Sequence, residues 1–372
     1  MPNTIPTAAA RLRELAHSAT AGLIGREQLA ELIVLAAVAQ EHLLIIGPPG
    51  TAKSAVVRRV ARAIGGRYFE YLLGRFTEPS ELFGAVDLRK LREGTVETDV
   101  SGMLPEAEVA FLDEVFLGST AILNTLLGVL NERRFRRGHT HIACPLRVCV
   151  GAANALPEDD SLAAFADRFL IHVFIDAVPD HQLEALLAGG WAAEQQAPGH
   201  CADLADLDLL SQRVLQVQME GVRPALANAL RQLRGAGLNL SDRRIVKAQR
   251  LIAAATVLAG REVAQAQDLW PLFYVLPTRE AQLAAQDVLR DSLAAAANPT
   301  LRAAVEAASL QPPSRIARLA EAAQHCLADE AIEAGRVEAV LREIDANFAT
   351  GALPAELAAL RRKLAVLLAN LG

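Results

Sequence analysis

The stretch His42-Leu43-Leu44-Ile45-Ile46-Gly47-Pro48-Pro49-Gly50-Thr51-Ala52-Lys53-Ser54 constrains the fold more than any other part of the chain. A short apolar run leads into a Gly/Pro-rich loop, and a Lys-Ser pair then opens an Ala/Val/Arg segment. That order reads as buried strand, loop and helix start. It is the context of a Walker A loop, in which backbone N–H groups and the helix N-terminus face phosphate oxygens. Gly47, Pro48, Pro49, Gly50, Thr51, Ala52, Lys53, Ser54 and Ala55 are therefore candidates for holding a nucleoside triphosphate. Lys53 supplies positive charge to the β- and γ-phosphates, and the Ser54 hydroxyl is suited to Mg²⁺. Ala52 departs from the pattern, standing where its second glycine belongs. An alanine there is expected to forgo the unusual φ that glycine permits and to add a methyl beside the phosphates.

Downstream, Glu108-Val109-Ala110-Phe111-Leu112-Asp113-Glu114 is an apolar run ending in two carboxylates. Buried parallel strands read as continuous apolar runs, and ligands bind beyond their carboxyl ends. Asp113 is expected to reach Mg²⁺ directly or through water, and Glu114 to orient and polarise the attacking water. Arg147 to Asn154 is another apolar strand ending in a polar side chain, which places Asn154 to hold the lytic water or report on the γ-phosphate. As a plain strand-end residue it would only form a turn. Asp167-Arg168-Phe169 precedes one more strand, Leu170 to Ile175. Arg168 would either pair with Asp167 or, in a ring, reach the γ-phosphate of the next subunit. The Gly22-Leu23-Ile24-Gly25 break between two apolar helices lies just ahead of the loop, where an adenine base could rest against Ile24.

At 372 residues the chain should hold two or three domains. A net charge of -6 and a pI near 5.8 argue against generic nucleic-acid binding. The leading Met1-Pro2-Asn3-Thr4-Ile5-Pro6 lacks the order of a signal peptide, and no apolar stretch approaches the roughly 20 residues of a membrane helix. A cytoplasmic protein without membrane insertion is expected. Cys144, Cys149, Cys201 and Cys326 show no metal-ligand spacing and read as reduced thiols.

Residues 85 to 104 are too polar and interrupted for a core element and read as a projecting hairpin or loop. Ser119 to Glu132 carries apolar positions on one helix face. The basic cluster that follows, with Arg133, Arg134, Arg136 and Arg137, fits a solvated hairpin or a surface facing an acidic neighbour better than nucleic acid. A composition shift over 189 to 199 marks a boundary, and residues 203 to 276 look all-helical. There Ser241 caps a helix whose first turn holds Arg243 and Arg244. Cations at that end oppose the helix dipole, a conflict that an anion would relieve. Residues 280 to 372 carry Leu357, Leu360, Leu364, Leu367 and Leu371 at 3,4 spacing, too short a run for a coiled coil.

Taken in order, Gly47 to Ser54, Phe69-Glu70-Tyr71-Leu72-Leu73-Gly74-Arg75-Phe76 with Leu82-Phe83-Gly84, Leu104 to Glu108 running into Asp113-Glu114, Ala121 to Arg133, and Ala153-Asn154 through Asp167-Arg168-Phe169 resemble the MoxR family of AAA+ ATPases, most closely its RavA-like branch. The resemblance covers about residues 20 to 276. It implies an α/β P-loop NTPase with a parallel five-stranded sheet flanked by helices (residues 1–190), an all-α lid (200–276) and a helical C-terminal extension (280–372). It further implies Asn154 as sensor 1, Arg168 as arginine finger, Arg243 as the likelier sensor 2, a helix-2 insert at 85–104 and a pre-sensor hairpin at 133–147. Alanine before the Walker A lysine also occurs in RavA-like sequences. The activity implied is ATP hydrolysis with Mg²⁺ in a hexameric homo-oligomeric ring, remodelling a protein client with a von Willebrand factor A domain partner. A nucleic-acid motor, a nucleotide-gated scaffold and, more remotely, metal insertion of the magnesium chelatase kind are the alternatives.

Overall fold

The computed structural model describes residues 4–195, 202–309, 319–320, 322–327, 334–347 and 354–371. They form two compact units, Met1–Ala21, Arg26–Ala177 and Pro198–Ser309 in the first, and Gly22–Gly25, Val178–Ala197 and Leu310–Gly372 in the second.

The first unit contains β1 (Leu43–Ile46), β2 (Tyr68–Leu72), β3 (Val109–Asp113), β4 (Arg134–Arg137), β5 (Thr140–Ala143), β6 (Val148–Ala153) and β7 (Ile171–Phe174). Five of these make one sheet in the order β2-β3-β6-β1-β7, with every pairing parallel. The apolar runs of β1 and β6 are buried along their whole length, as expected for strands covered on both faces. Parallel neighbours need crossovers, here the helices Lys53–Ile64, Thr120–Leu127 and Asp160–Ala166. Each of the last two begins at a side-chain cap: Ser119 Oγ accepts from Ile122 N–H at 3.4 Å, and Asp159 accepts from Ser161 N–H at 2.8 Å.

The α-helix after β3 stops at Leu127, and a π-helical turn over Gly128–Glu132 replaces the continuous helix read from the sequence. The turn delivers Arg133, at φ 54°, to the start of β1, where its guanidinium donates to Gln40 O at 2.7 Å. Arg133 is therefore half-buried and absent from the solvated basic face. Arg137 donates to Gly84 O at 3.1 Å, and Arg136 lies 3.3 Å from Glu132.

Residues 85 to 104 fold as a short helix, Leu88–Arg92, closed by an antiparallel bridge between Val86 and Thr98. Gly84 (φ 98°) makes that closure possible, since a Cβ there would lie 1.8 Å from Asp99 O. The β4-β5 hairpin joins this insert through His139 N–H to Val96 O (2.8 Å) and Thr98 N–H to Thr140 Oγ1 (2.8 Å), and buried Phe135 stacks on Phe83.

Helices Ile5–Ala19 and Glu27–Ala39 before β1, and Leu204–Val214, Arg223–Gly235, Asp242–Leu258, Leu272–Val275, Arg279–Val288 and Arg302–Ser309 after β7, also belong to the first unit, which therefore runs beyond residue 280. The second unit has its own core of Leu319, Ala323, Val337, Ile344, Leu357, Leu360 and Leu364. Leu357, Leu360, Leu364 and Leu367, four of the 3,4-spaced leucines of helix Ala355–Leu371, thus pack inside that unit. Cys144 and Cys149 are buried free thiols, Cys326 is buried as well, and Cys201 lies outside the described residues. Among the described residues no helix is long and apolar enough to cross a membrane.

Candidate nucleotide site

Because β6 lies between β1 and β3, its carboxyl end puts Asn154 between the loop after β1 and the carboxylates after β3. Asn154 Nδ2 donates to Glu114 Oε1 at 2.6 Å, and Glu114 N–H donates to Asp113 Oδ1 at 3.0 Å. Glu114 itself takes a left-handed conformation, φ 50°. Lys53, largely buried, donates from Nζ to Gly47 O at 2.7 Å and Pro48 O at 3.0 Å. Burial lowers the pKa of its ammonium, while the charges of Asp113 and Glu114 act to raise it. The sheet thus brings Lys53, Asp113, Glu114 and Asn154 to one end.

The loop conformation corrects the expectation for Ala52, which adopts φ 60°, ψ 22° despite its Cβ. That conformation costs about 1–2 kcal/mol for an L-residue. Burial of Val56, Val57, Val60 and Ile64 on the helix that begins at Lys53 offsets it. The glycine at position 47 answers to packing, since a Cβ there would sit 2.4 Å from Ile175 O, just past β7.

Two further residues, which local pattern did not reveal, hold this end together. Buried Arg26 donates from Nε to Thr51 O and from Nη2 to Asp176 O, both at 2.9 Å, pinning the loop to the segment after β7. Arg279 forms a bidentate pair with the Asp176 carboxylate, one contact at 2.8 Å, so it stands at the same end of the sheet. The signal for Arg26 was its place beside the Gly22–Gly25 break; Arg279 had only the preceding Pro277-Thr278 as a helix start. Ile24 belongs to the other compact unit.

Arg168, Arg243 and Arg244 collect near Asp167, at the amino end of β7. Arg243 Nη2 donates to Asn131 Oδ1 at 2.8 Å, and its Nη1 is 3.8 Å from Asp167. Arg244 is buried and fully engaged: Nε to Asp167 Oδ1 at 2.7 Å, Nη1 to Val275 O at 2.7 Å and Leu170 O at 3.3 Å, Nη2 to Phe169 O at 2.9 Å and His172 Nδ1 at 3.0 Å. The anion that relieves the dipole conflict at this helix start is the Asp167 carboxylate. Burial lowers the Arg244 pKa to about 10, with Asp167 opposing the shift. Neither guanidinium is at the loop end of the sheet. Arg168 is half-buried, and its Nε has no hydrogen-bond partner among the described residues. It lines a cavity of about 410 Å³ with Phe116, Leu123 and Ser161.

Among the described residues no cluster of three His, Cys, Asp or Glu side chains could hold a metal alone. The Ser54 hydroxyl and Asp113 carboxylate are hard oxygen donors. Mg²⁺ binds through few protein oxygens together with phosphate and water, so this donor set fits it.

Residues 10–213 match the MoxR domain of MoxR-vWA-beta-propeller ternary systems. Residues 222–288 match an AAA lid domain. An uncharacterized protein of Methanocaldococcus jannaschii is 32% identical over 259 residues, 69% of either chain. Chaperone MoxR1 of Mycobacterium tuberculosis is 26% identical over 155 residues, 41% of this chain and 40% of its own. A crystal structure of a candidate ATPase from Cytophaga hutchinsonii superposes with a TM-score of 0.62 at 15% identity, covering 78% of this chain and 96% of the other, a likeness of fold alone. With its family match spanning more than half of its length, its AAA lid and its parallel P-loop sheet, the chain belongs to the MoxR family of AAA+ proteins.

Proposed function

We propose that the chain hydrolyses ATP at sites between subunits of a homo-oligomeric, hexameric ring and uses the cycle to remodel a protein client. The observation that carries this reading is the Asn154–Glu114 hydrogen bond beside a P-loop whose lysine is held on two loop carbonyls. When a triphosphate enters, Lys53 exchanges Gly47 O and Pro48 O for phosphate oxygens. Glu114 orients and polarises the attacking water, and Asn154 holds its carboxylate and reaches toward the γ-phosphate. Mg²⁺, held by Ser54 and Asp113, would neutralise phosphate charge. Arg168, half-buried and lining the cavity beside Phe116 and Leu123, acts across the subunit boundary, where a guanidinium can meet transition-state charge. Arg243, beside it, is assigned the same boundary, whereas Arg279 is the lid arginine placed for phosphates bound in its own chain.

A partner with a von Willebrand factor A domain is in keeping with the ternary systems that the matching family describes. The RavA-like subgroup reading rests on the quoted motifs and Ala52. Glu114→Gln is expected to bind ATP and to lose about 10²–10⁴-fold in turnover, measured as phosphate release with a fluorescent nucleotide as the binding control. Wild-type turnover by that variant would refute the catalytic assignment.

A further inference from the structure

Among the described residues Phe76 is the most exposed large apolar side chain, at 95%. Arg75 and Phe76 form the tip of a turn closed by Thr77 N–H to Gly74 O at 3.1 Å and by Gly74 N–H to Thr77 Oγ1 at 2.9 Å. The turn directly follows β2, and Leu73 N–H donates to Asp113 O at 2.9 Å, so the tip stands at the same end of the sheet as Lys53, Glu114 and Asn154. The Arg75 guanidinium is exposed and makes no ion pair or hydrogen bond among the described residues. Water gives no stabilisation to a phenyl ring held out in this way, whereas aromatic and arginine side chains are the usual anchors of interfaces. A turn already closed also lowers the ordering cost of docking.

The same chain carries a matching hollow. The cavity of about 410 Å³ that Arg168 lines has Phe116, Leu123, Leu162 and Phe165 as apolar walls, drawn from the helices Thr120–Leu127 and Asp160–Ala166 and the turn before the first. An apolar cavity of about 150 Å³ already admits benzene, so a phenyl ring fits here. Asp159 lines it as well, flanked by Glu158 and Asp160, which are exposed and have no side-chain partners among the described residues. An apolar hollow beside a run of carboxylates is thus complementary to a phenyl ring beside an unpaired guanidinium. Within one chain Phe76 and Arg168 are far apart. β2 and β7 are the two edges of the sheet, four strand spacings or about 19 Å from each other. Phe76 follows the carboxyl end of β2, whereas Arg168 precedes the amino end of β7. A projection and a hollow so placed form a heterologous contact, the kind that can close into a ring. We propose that this cavity seats Phe76 of the adjacent copy, with that copy's Arg75 beside Glu158 to Asp160. The contact rests on the reading that Arg168 acts across a subunit boundary, because that reading brings the cavity against the neighbour's loop end, where the Phe76 turn stands. The seated ring and the charge pair then fix the register in which Arg168 meets the neighbouring site.

The test uses the full chain with a non-hydrolysable ATP analogue and Mg²⁺, followed by sedimentation velocity over a series of protein concentrations. Phe76→Ala is expected to raise the concentration for half-assembly about tenfold or more. Ala164 is exposed and lines the cavity, so Ala164→Phe fills it from outside and is expected to do the same. The contact itself is read by mixing Phe76→Cys with Ala164→Cys, both in a Cys201→Ser chain whose other cysteines are buried, and adding a short bismaleimide. A cross-linked dimer is expected from the mixture and from neither variant alone. If wild type assembles but the mixture gives no cross-link, or Phe76→Ala assembles as well as wild type, this contact is overturned and the ring stands. If wild type stays monomeric with the nucleotide, ring and contact fall together.

Discussion

Replacing Arg244 separates a structural arginine from one proposed to meet phosphate. Arg244→Met keeps an unbranched chain in the same space but strips hydrogen bonds from the carbonyls of Phe169, Leu170 and Val275, from His172 Nδ1 and from the Asp167 carboxylate. Asp167 is partly exposed and recovers some hydration, but the other acceptors are buried. Removing one partner of a buried pair typically costs about 3–5 kcal/mol, and each orphaned buried acceptor about 1–3 kcal/mol with partial relaxation. A loss of about 4 kcal/mol is therefore expected. At roughly 2–4 °C per kcal/mol for a domain of this size, the first melting transition should fall by about 10 °C. Arg243→Ala, which gives up one bond to exposed Asn131 and a long 3.8 Å ion pair with partly exposed Asp167, should cost about 1 kcal/mol in the same assay. Calorimetry without nucleotide decides the matter. An Arg244→Met protein melting within about 2 °C of wild type would show that the clamp does not hold the lid helix to β7.

Arg26→Ala should loosen the phosphate loop by freeing Thr51 O and Asp176 O, and fluorescent-nucleotide titration should show ATP affinity falling about tenfold; unchanged affinity would remove Arg26 from the site. Arg168→Ala and Glu114→Gln, each inactive alone, should regain phosphate release when mixed, because some interfaces then pair an intact Glu114 with an intact Arg168; failure to complement would place both residues in one subunit's site. Half-buried Glu31 accepts from Ala304 N–H at 2.8 Å, and burial pushes its carboxyl up from the usual 4.5 to about 8. The folded state therefore holds a proton that the unfolded state releases, so this contribution to stability is complete below pH 4.5 and lost as pH rises through about 8. Glu31→Gln should flatten the decline in melting temperature between pH 5 and 8 (about the interval set by those values), and an unchanged slope would assign the decline to other groups.

Much of the site was legible because its chemistry is local. A fully buried parallel strand must be apolar along its length, and a phosphate loop must follow it, so Gly47 to Ser54 and Asp113-Glu114 announce themselves. Strand-end placement likewise pointed to Asn154. What the residues alone determined is the strand-loop-helix order, the carboxylate pair and the candidate arginines. Tertiary structure decided which partners each arginine meets. Arg26, Arg244 and Arg279 find partners far away in sequence, and those partners converge only once β7 lies beside β1. The backbone of Ala52 was decided there too, since burial of the following helix face outweighs a local preference of about 1–2 kcal/mol. Spacing reports periodicity along one element, whereas a guanidinium is committed by whatever acceptors the packed sheet and lid bring within its reach.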